Sequence, residues 1–477
     1  MINFDISKLF IYKWRYWIGY ALVGASLIAV LFFAGMFLPG GISSQEIQSV
    51  IKSSTLGFTS LTAPDVINLP FHLLQHASIT IFGVSVLSIK LPSIILAFLS
   101  AIGIVLLLRR WFKPNIGVLA SLIAITTGQF LFIAQDGTPG ILYLFWSVCL
   151  LLLANLISAQ KRFKSFYEIA FCVAMALSLY TPLSLYVLFA LAIAVLLHPH
   201  LRYILRHLPK KQLAIGLILA AIIVTPLIIS LIKTPSLWLT LAGLPNHWPN
   251  LGANLSSLSL QYFGFSVPSG STLITPFFEL GSMLIIALGL YHVLKTRVTA
   301  KNYVITIWMI CLIPAIILNP GFTSITFLPL VLLLATGLNT LLAYWYNLFP
   351  RNPYARIAGL IPVVILVTVL VFSGASRFVY SYKYNPNVVP NFSKDLKLIP
   401  KDTKHIIVSS SELEFYKVIS KHNKTFDVEL TPTDSYTSFL ATNKSNKIFS
   451  GYKIDRIITS SLSNQSDRFY LYTKITD

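Results

Sequence analysis

The sequence predicts an α-helical protein that crosses a membrane about eleven times and carries a small α/β domain after its last span. Of its 477 residues, 55% are hydrophobic and only 11% are charged, far below the roughly 25% of a soluble domain. The mean hydropathy is +0.74. Lys and Arg before residue 378 gather in clusters between apolar runs. The last hundred residues, with ten acids against fourteen Lys and Arg, have an ordinary soluble composition.

The cation clusters predict the topology. Residues 1–377 hold twenty-two Lys and Arg, and eighteen of them lie in six clusters. These clusters are at 8–15, 109–113, 161–164, 202–211, 295–301 and 351–356. Since a translocating chain retains Lys and Arg on the cytoplasmic side, the N-terminus is predicted inside the cell and the tail outside the plasma membrane. The basic residues behind the net charge of +20 are then expected to contact anionic lipid headgroups, and no nucleic-acid partner is predicted.

The apolar runs give the spans in order. They are expected near 17–38, 88–108, 115–134, 139–158, 166–181, 183–197, 212–232, 276–294, 303–318, 325–343 and 357–376. Residues 166–181 and 183–197 are short for a hydrocarbon core of about 30 Å, so a re-entrant pair is the alternative there. Residues 68–87 carry polar side chains three or four apart, which predicts an amphipathic helix on the outer surface.

Two domains follow from this pattern: a membrane domain, 1–377, and an extracytoplasmic α/β domain, 378–477. The outer loops of the membrane domain are 39–67 and 233–275. In the tail, strands are expected at His405–Ser409, Thr425–Leu430, Arg456–Ser460 and Arg468–Ile475, with a helix at Glu412–His422.

Carboxylates are scarce, which narrows the candidates for outer-face chemistry. Residues 1–377 contain six acids, and Glu46, Asp65 and Asp136 lie in predicted outer segments. Glu46 follows a Pro-Gly-Gly turn beside the membrane, although an isolated loop acid is more often a solvated one. Asp65 and Asp136 also suit turn or helix-capping roles. These three are the catalytic candidates, with Glu46 first.

One cation lies at the outer entrance of the second span. Lys90 could anchor the helix at the headgroup level or bind a lipid phosphate, and the sequence favours neither role. His72 and His76, one turn apart, could bind a metal, but a polar face on an interfacial helix explains them more simply. No metal site is therefore predicted.

Several function classes lack their motifs. There is no phosphate-cradling Gly-Lys-Ser/Thr loop, no dinucleotide Gly fingerprint and no Asp-x-Asp in the membrane part. A soluble nucleotide-activated substrate is therefore disfavoured. The three cysteines lie inside apolar runs and offer neither a disulfide framework nor a zinc spacing.

Three stretches resemble a known family. They are IFGVSVLSIKLPS at 81–93, LLRRWF at 107–112 and FIAQDGTPGILYLFW at 132–146, preceded by a first span and a loop acid. Together they are similar to bacterial GT-C glycosyltransferases related to protein O-mannosyltransferases and the lipid A aminoarabinose transferase. The resemblance is good over about 17–160, weaker to 380 and absent from the tail. The family's acidic pair in the first outer loop is Gln45-Glu46 here, and Lys90 stands where Arg is usual.

The resemblance implies transfer of a sugar from a polyprenyl phosphate to a protein, lipid or glycan acceptor on the outer face, with inversion at the anomeric carbon. Glu46 would be the base, and Lys90 would bind the donor phosphate. The substrate-binding candidates are Gln45, His76, His247 and Trp248. No cofactor is expected, although the changed acidic pair leaves a divalent cation undecided.

Two other classes stay open at this point. A flippase or transporter of lipid-linked glycans usually needs charged residues deep in several spans, and this chain has few. A non-catalytic scaffold with a tail that binds glycan or protein is the other class.

Overall fold

The protein is described by a computed structural model in which most of the chain is placed. The structure describes residues 10–38, 40–56, 66–159, 163–264, 276–296, 299–348, 354, 358, 360–386, 388–423, 426–433, 435–459 and 467–475. The catalytic candidate Asp65 lies outside these described residues.

Helices account for nearly all of the membrane domain. Its first nine are α1 (Phe10–Phe37), α2 (Ser44–Ser54), α3 (Leu69–Phe82), α4 (Val86–Trp111), α5 (Pro114–Thr126), α6 (Gly128–Gln135), α7 (Ile141–Ala159), α8 (Lys164–Ser178) and α9 (Ser184–Leu197). The others are α10 (Pro199–Arg206), α11 (Lys210–Lys233), α12 (Leu237–Leu241), α13 (Leu251–Phe263), α14 (Leu280–Lys295), α15 (Ala300–Leu318), α16 (Phe327–Leu348) and α17 (Leu360–Tyr384). A 3-10 segment, Pro320–Thr326, leads into α16.

The apolar helices confirm a multi-span membrane protein. Among the described residues, six helices are long and apolar enough to cross a membrane, and two bent pairs raise this number to eight. The bends are 61° between α5 and α6 and 98° between α9 and α10. Each of the eleven predicted spans coincides with a helix or a bent pair, but the count of eleven crossings stays a prediction.

The helix α3 departs from the expected orientation. At 14 residues it is about 21 Å long, too short to cross the hydrocarbon core. Its polar side chains His72 and Gln75 are buried, whereas Leu73, Ile81 and Phe82 are exposed. The polar face therefore packs inward on the protein and the apolar face is the outer one, because the polar side chains bind α2 instead of water.

A five-stranded sheet with one helix forms the tail. The strands are β1 (His405–Ile407), β2 (Asp427–Glu429), β3 (Ser438–Thr442), β4 (Tyr452–Thr459) and β5 (Arg468–Lys474), in the order β2-β1-β3-β5-β4. Helix α18 is Leu413–Asn423. Strand β1 pairs parallel with β2 and with β3, and β5 pairs antiparallel with β3 and with β4. The sequence predicted four strands and the helix but missed the central strand β3.

The tail packs on the segments that follow α1 and α3 in the membrane domain. The Ile42 amide donates to the Lys394 carbonyl at 2.8 Å, and the Asn423 side chain bonds both backbone groups of Val84. Ile79 and Ile89 share a hydrophobic cluster with Phe415 and other tail residues. The tail domain and the segment that contains Glu46 therefore share one core.

Candidate active site

Glu46 lies in the first turn of α2 and is fully buried. Ser43 caps this helix: its Oγ accepts from the Glu46 amide at 3.1 Å, and the Ser43 amide donates to Glu46 Oε2 at 2.7 Å. This reciprocal capping box fixes the side-chain direction. The second carboxylate oxygen, Oε1, accepts from the Gly137 amide at 2.8 Å, 91 positions along the chain. The predicted base therefore joins α2 to the turn before α7.

Lys90 lies in the first turns of α4 and is also fully buried. Its Nζ donates to Gln135 Oε1 at 2.7 Å and lies 3.6 Å from Glu46 Oε1. Removing one partner of such a buried ion pair leaves an uncompensated charge, which is strongly destabilising. The structure thus brings together Glu46, Lys90 and Gln135, which the sequence placed in three separate segments.

Asp136 follows Gln135 at the end of α6, where it is the C-cap residue. Its Oδ2 accepts from the Thr138 hydroxyl at 2.5 Å, and its backbone carbonyl accepts from Ser93 at 2.5 Å. Burial, followed by repulsion from Glu46, raises the pKa of Asp136 to about 7. A carboxyl group with this pKa changes its protonation state near neutral pH, as general acid-base catalysis requires.

Gln75 is the central residue that sequence reasoning missed. Its Oε1 accepts from Ser49 at 2.8 Å and from Ser53 at 2.6 Å, so α2 and α3 are joined. Its Nε2 donates to the carbonyls of Ile89 and Gly137 at 3.1 and 3.0 Å. One fully buried amide therefore connects four segments around the carboxylate. The polar spacing on α3 was a signal, but the sequence does not specify these partners.

A polar cavity of about 500 Å³ borders this cluster. Gln45, Gln48 and His72 line it, together with Thr138 and, from α12, Thr240. The Thr138 hydroxyl also donates to the Asp136 carboxylate, so one side chain connects the cavity wall to Asp136. The substrate-binding candidate Gln45 is therefore at the cavity.

The other substrate-binding candidates lie differently. His76 is half-buried, and its Nδ1 is 2.9 Å from the Ser53 carbonyl, an α2–α3 contact. His247 and Trp248 are exposed in the segment after α12, with Trp248 81% exposed. No described contact joins these three side chains to Glu46, Lys90 or Asp136. In the described part of the chain, no group of three or more His, Cys, Asp or Glu side chains is arranged to hold a metal ion.

The chain is similar to a known family in sequence and to known proteins in structure. Residues 69–229 match the family described as dolichyl-phosphate-mannose-protein mannosyltransferase. No curated protein matches the chain in sequence. The structure is similar to that of apo ArnT from Cupriavidus metallidurans, with a TM-score of 0.50 at 12% identity, covering 96% of this chain and 98% of that one.

Two further solved structures were found. ArnT from Cupriavidus metallidurans bound to undecaprenyl phosphate has a TM-score of 0.52 at 10% identity and covers 95% of this chain and 98% of that one. An oligosaccharyltransferase from Archaeoglobus fulgidus, tethered with an acceptor peptide, has a TM-score of 0.48 at 15% identity and covers 86% of this chain and 64% of that one.

These findings define a class. The fold is that of the GT-C glycosyltransferase ArnT, and it extends over the tail, where the sequence showed no resemblance. The family match covers the segment that holds Lys90 and Asp136. The resemblance predicted from the sequence, to GT-C glycosyltransferases of the ArnT and protein mannosyltransferase type, is confirmed.

Proposed function

We propose that this protein transfers a sugar from a polyprenyl-phosphate donor to an acceptor hydroxyl at the outer face of the plasma membrane. The observation that carries the proposal is the buried cluster of Glu46, Lys90, Gln135 and Asp136 beside a polar cavity, within an ArnT-like fold. One ArnT structure holds undecaprenyl phosphate, and a lipid phosphate of this class is the donor carrier proposed here.

Lys90 is the proposed partner of the donor phosphate. Its ammonium group now pairs with Gln135 and Glu46, at the end of α4 nearest the tail domain. The phosphate gains negative charge as the bond from its oxygen to the anomeric carbon breaks. A fixed ammonium group in a site without water stabilises this developing charge. Exchange of the Gln135 amide for a phosphate oxygen would keep the ammonium group hydrogen-bonded.

For the base, the geometry favours Asp136 over Glu46. Both Glu46 oxygens accept backbone amide hydrogens, and the side chain is closed to solvent. The pKa of Asp136 is raised to about 7, and its partner Thr138 lines the cavity. The acceptor hydroxyl would give its proton to Asp136 while its oxygen attacks the anomeric carbon. The lipid phosphate leaves from the opposite side, which inverts the configuration.

Glu46 then has a positioning role in the same reaction. Its carboxylate holds the Gly137 amide and lies beside Lys90, so it fixes the turn that carries Asp136. Its negative charge also raises the pKa of Asp136. If Asp136 is the base, Asp136→Asn should be inactive. If Glu46 is the base, Asp136→Asn should stay active and Glu46→Gln should not, so the transfer rates of the two variants distinguish the assignments.

Single-turnover transfer by the full-length protein tests the proposal. The purified protein, in lipid nanodiscs, is incubated with radiolabelled polyprenyl-phosphate sugars and cell-envelope acceptors. Loss of a general base costs about 10²–10⁴ in rate, so Asp136→Asn should lose this much with normal expression. The exposed Asp402→Asn is the matched control and should keep the wild-type rate.

The other outcomes separate the alternatives. A nearly wild-type rate for Asp136→Asn, with an inactive and folded Glu46→Gln, would return the base to Glu46, as the sequence suggested. If these variants and Asp65→Asn all stay active, the carboxylate mechanism is wrong. In sealed vesicles that contain the same protein, movement of the donor across the bilayer without transfer to any acceptor would favour a flippase instead.

A further inference from the structure

A second cavity lies in the membrane domain between α7, α8, α9, α10 and α11. Its volume is about 620 Å³, within the range of small-molecule sites. Nearly all of its lining is apolar, including Phe171, Met175, Leu188, Ala192 and Leu201. One acidic side chain, Glu168, lines it as well. An amphiphile is the class of ligand that this combination fits.

Glu168 is an unusual lining residue. Its side chain is 2% exposed, and neither carboxylate oxygen has a hydrogen-bond partner among the described residues. In contrast, Glu46, which is also buried, has two backbone amides and an ammonium group beside it. Burial of an unpaired carboxylate is costly, so a bound cation or hydrogen-bond donor in the cavity would be strongly favoured.

Basic residues lie on two of the helices that form the same cavity. Lys164, one helical turn before Glu168, is half-buried, and Arg202 and Arg206 of α10 are exposed. Leu201 and Leu205 of α10 line the cavity, so this helix presents an apolar face to it and its arginines elsewhere. Such a basic amphipathic helix, at a 98° bend from α9, is typical of one lying at a membrane surface.

This cavity is separate from the candidate active site. Helix α7 begins beside the turn that holds Asp136 and ends near the start of α8, and its 19 residues span about 28 Å. Glu168, one turn into α8, therefore lies about 22 Å along the bundle from the Asp136 end of α7, toward the end that holds Arg109 and Lys164.

We propose that this cavity binds a phospholipid with a primary ammonium headgroup. The ammonium group would donate hydrogen bonds to the Glu168 carboxylate, and the acyl chains would fill the apolar cavity. Residues one helical turn apart have Cβ atoms about 5–6 Å apart, so Lys164 lies where the phosphate of the same headgroup would be.

The test compares phosphatidylethanolamine with phosphatidylcholine of the same acyl chains. The two differ in the methylation of the nitrogen, which removes every N–H donor. Lipid retention by the detergent-purified full chain is measured by native mass spectrometry over a concentration series. We expect the wild type to retain phosphatidylethanolamine at least about tenfold better, the effect of a charge-assisted hydrogen bond.

Three variants complete the experiment. Glu168→Gln should lose the preference for phosphatidylethanolamine, and the exposed control Glu414→Gln should keep it. Ala192→Phe, which fills the cavity and keeps the carboxylate, should lower retention of both lipids. Equal retention of the two lipids by the wild type would overturn the proposal. A folded Glu168→Gln that keeps the preference for phosphatidylethanolamine would overturn it too. If Glu168→Gln does not fold, Ala192→Phe decides: wild-type retention of both lipids by this variant would overturn the proposal.

Discussion

At the scale of single residues, the candidate site is a balance of three buried charges. Lys90 lies between Glu46 and the segment that holds Asp136, and the two carboxylates repel one another. Burial, followed by repulsion from Glu46, raises the pKa of Asp136 to about 7, so this carboxylate accepts a proton near neutral pH. In the proposed reaction, Asp136 therefore transfers the proton and Lys90 stabilises the charge on the phosphate.

Substitution of Lys90 tests its contact with the donor. Lys90→Gln removes the charge-assisted hydrogen bond to phosphate, so use of the donor should fall about tenfold to a hundredfold. Lys90→Arg keeps the charge and should lose much less. Transfer rates at several donor concentrations measure the difference. Because Lys90→Gln also leaves Glu46 without its cation, thermal unfolding must show a folded variant. Equal donor use by wild type and a folded Lys90→Gln would make Lys90 purely structural.

The pH dependence of transfer tests Asp136. A base acts in its deprotonated form, so kcat/KM should rise with pH through about 7 and level off above it. Repulsion from Glu46 contributes to this raised pKa, so Glu46→Gln should move the rise to lower pH. The measurement is a pH profile of both proteins with the same donor. An unshifted profile in an active Glu46→Gln would show that Asp136 does not control the rate.

The charged members of the candidate site and Gln45 could be predicted from the sequence, but its other uncharged members could not. Glu46, Lys90 and Asp136 stood out because acids are scarce before the tail and few cations lie outside the clusters. Gln75 and Ser53, which hold the segments together, belong to residue types that occur throughout the chain. Their importance comes from contacts between segments that are distant in sequence, such as Gln75 with Gly137.

At the scale of helices, α14 and α16 cross at close range. A Cβ atom at Gly289 of α14 would lie 1.9 Å from the Leu333 carbonyl oxygen, and one at Gly337 of α16 would lie 1.9 Å from the Ile285 carbonyl oxygen. The two backbones therefore contact each other through these glycines. Small residues allow such approaches between membrane helices.

Replacement of either glycine by alanine should force α14 and α16 apart. Overpacking costs about 1–3 kcal/mol, and here the contacted atoms are backbone, which cannot turn aside. Gly289→Ala and Gly337→Ala should each lower the melting temperature in detergent. The control is Gly24→Ala in α1, where an added Cβ meets nothing within 4 Å and helix propensity improves. Unchanged melting of both α14 and α16 variants would show that the crossing relaxes without cost.

The helix α3 shows where the sequence pattern was ambiguous. Polar side chains recur every three or four residues, which predicted the helix correctly. The same pattern suits a polar face that meets water and one that packs in a buried polar network. The structure has the second arrangement, because Ser49 and Ser53 of α2 supply partners for Gln75. Only the packing of α2 on α3 distinguishes the two.

At the scale of the whole molecule, the tail belongs to the ArnT-like fold. The solved ArnT structures match over 95–96% of this chain, although the tail showed no sequence resemblance. Strand β3, Ser438–Thr442, was missed because its short run lacks a period-two pattern. Its place between β1 and β5 is set by long-range pairing, which a local pattern does not reveal.

The tail shares a core with the segments that follow α1 and α3, so all of them lie on one side of the membrane. Ile42 pairs with Lys394, and Asn423 binds Val84, so the tail and the Glu46 segment must lie on the same side. Among the described cluster members, Arg109 and Arg110 lie at the far end of α4 and Lys164 at the start of α8, which predicts that the side with the tail faces outward.

Cysteine labelling in intact cells tests this topology. In a background without Cys149, Cys172 and Cys311, a cysteine at the exposed Ser410 of the tail should react with an impermeant thiol reagent. One at the exposed Ser158, at the far end of α7, should react only after the cells are opened. The labels are compared by mass shift, with expression matched. Protection of Ser410→Cys together with labelling of Ser158→Cys in intact cells would show that the protein has the opposite orientation in the membrane. Because the tail and the candidate site share one core, the site would then face the cytoplasm, and transfer at the outer surface would be excluded.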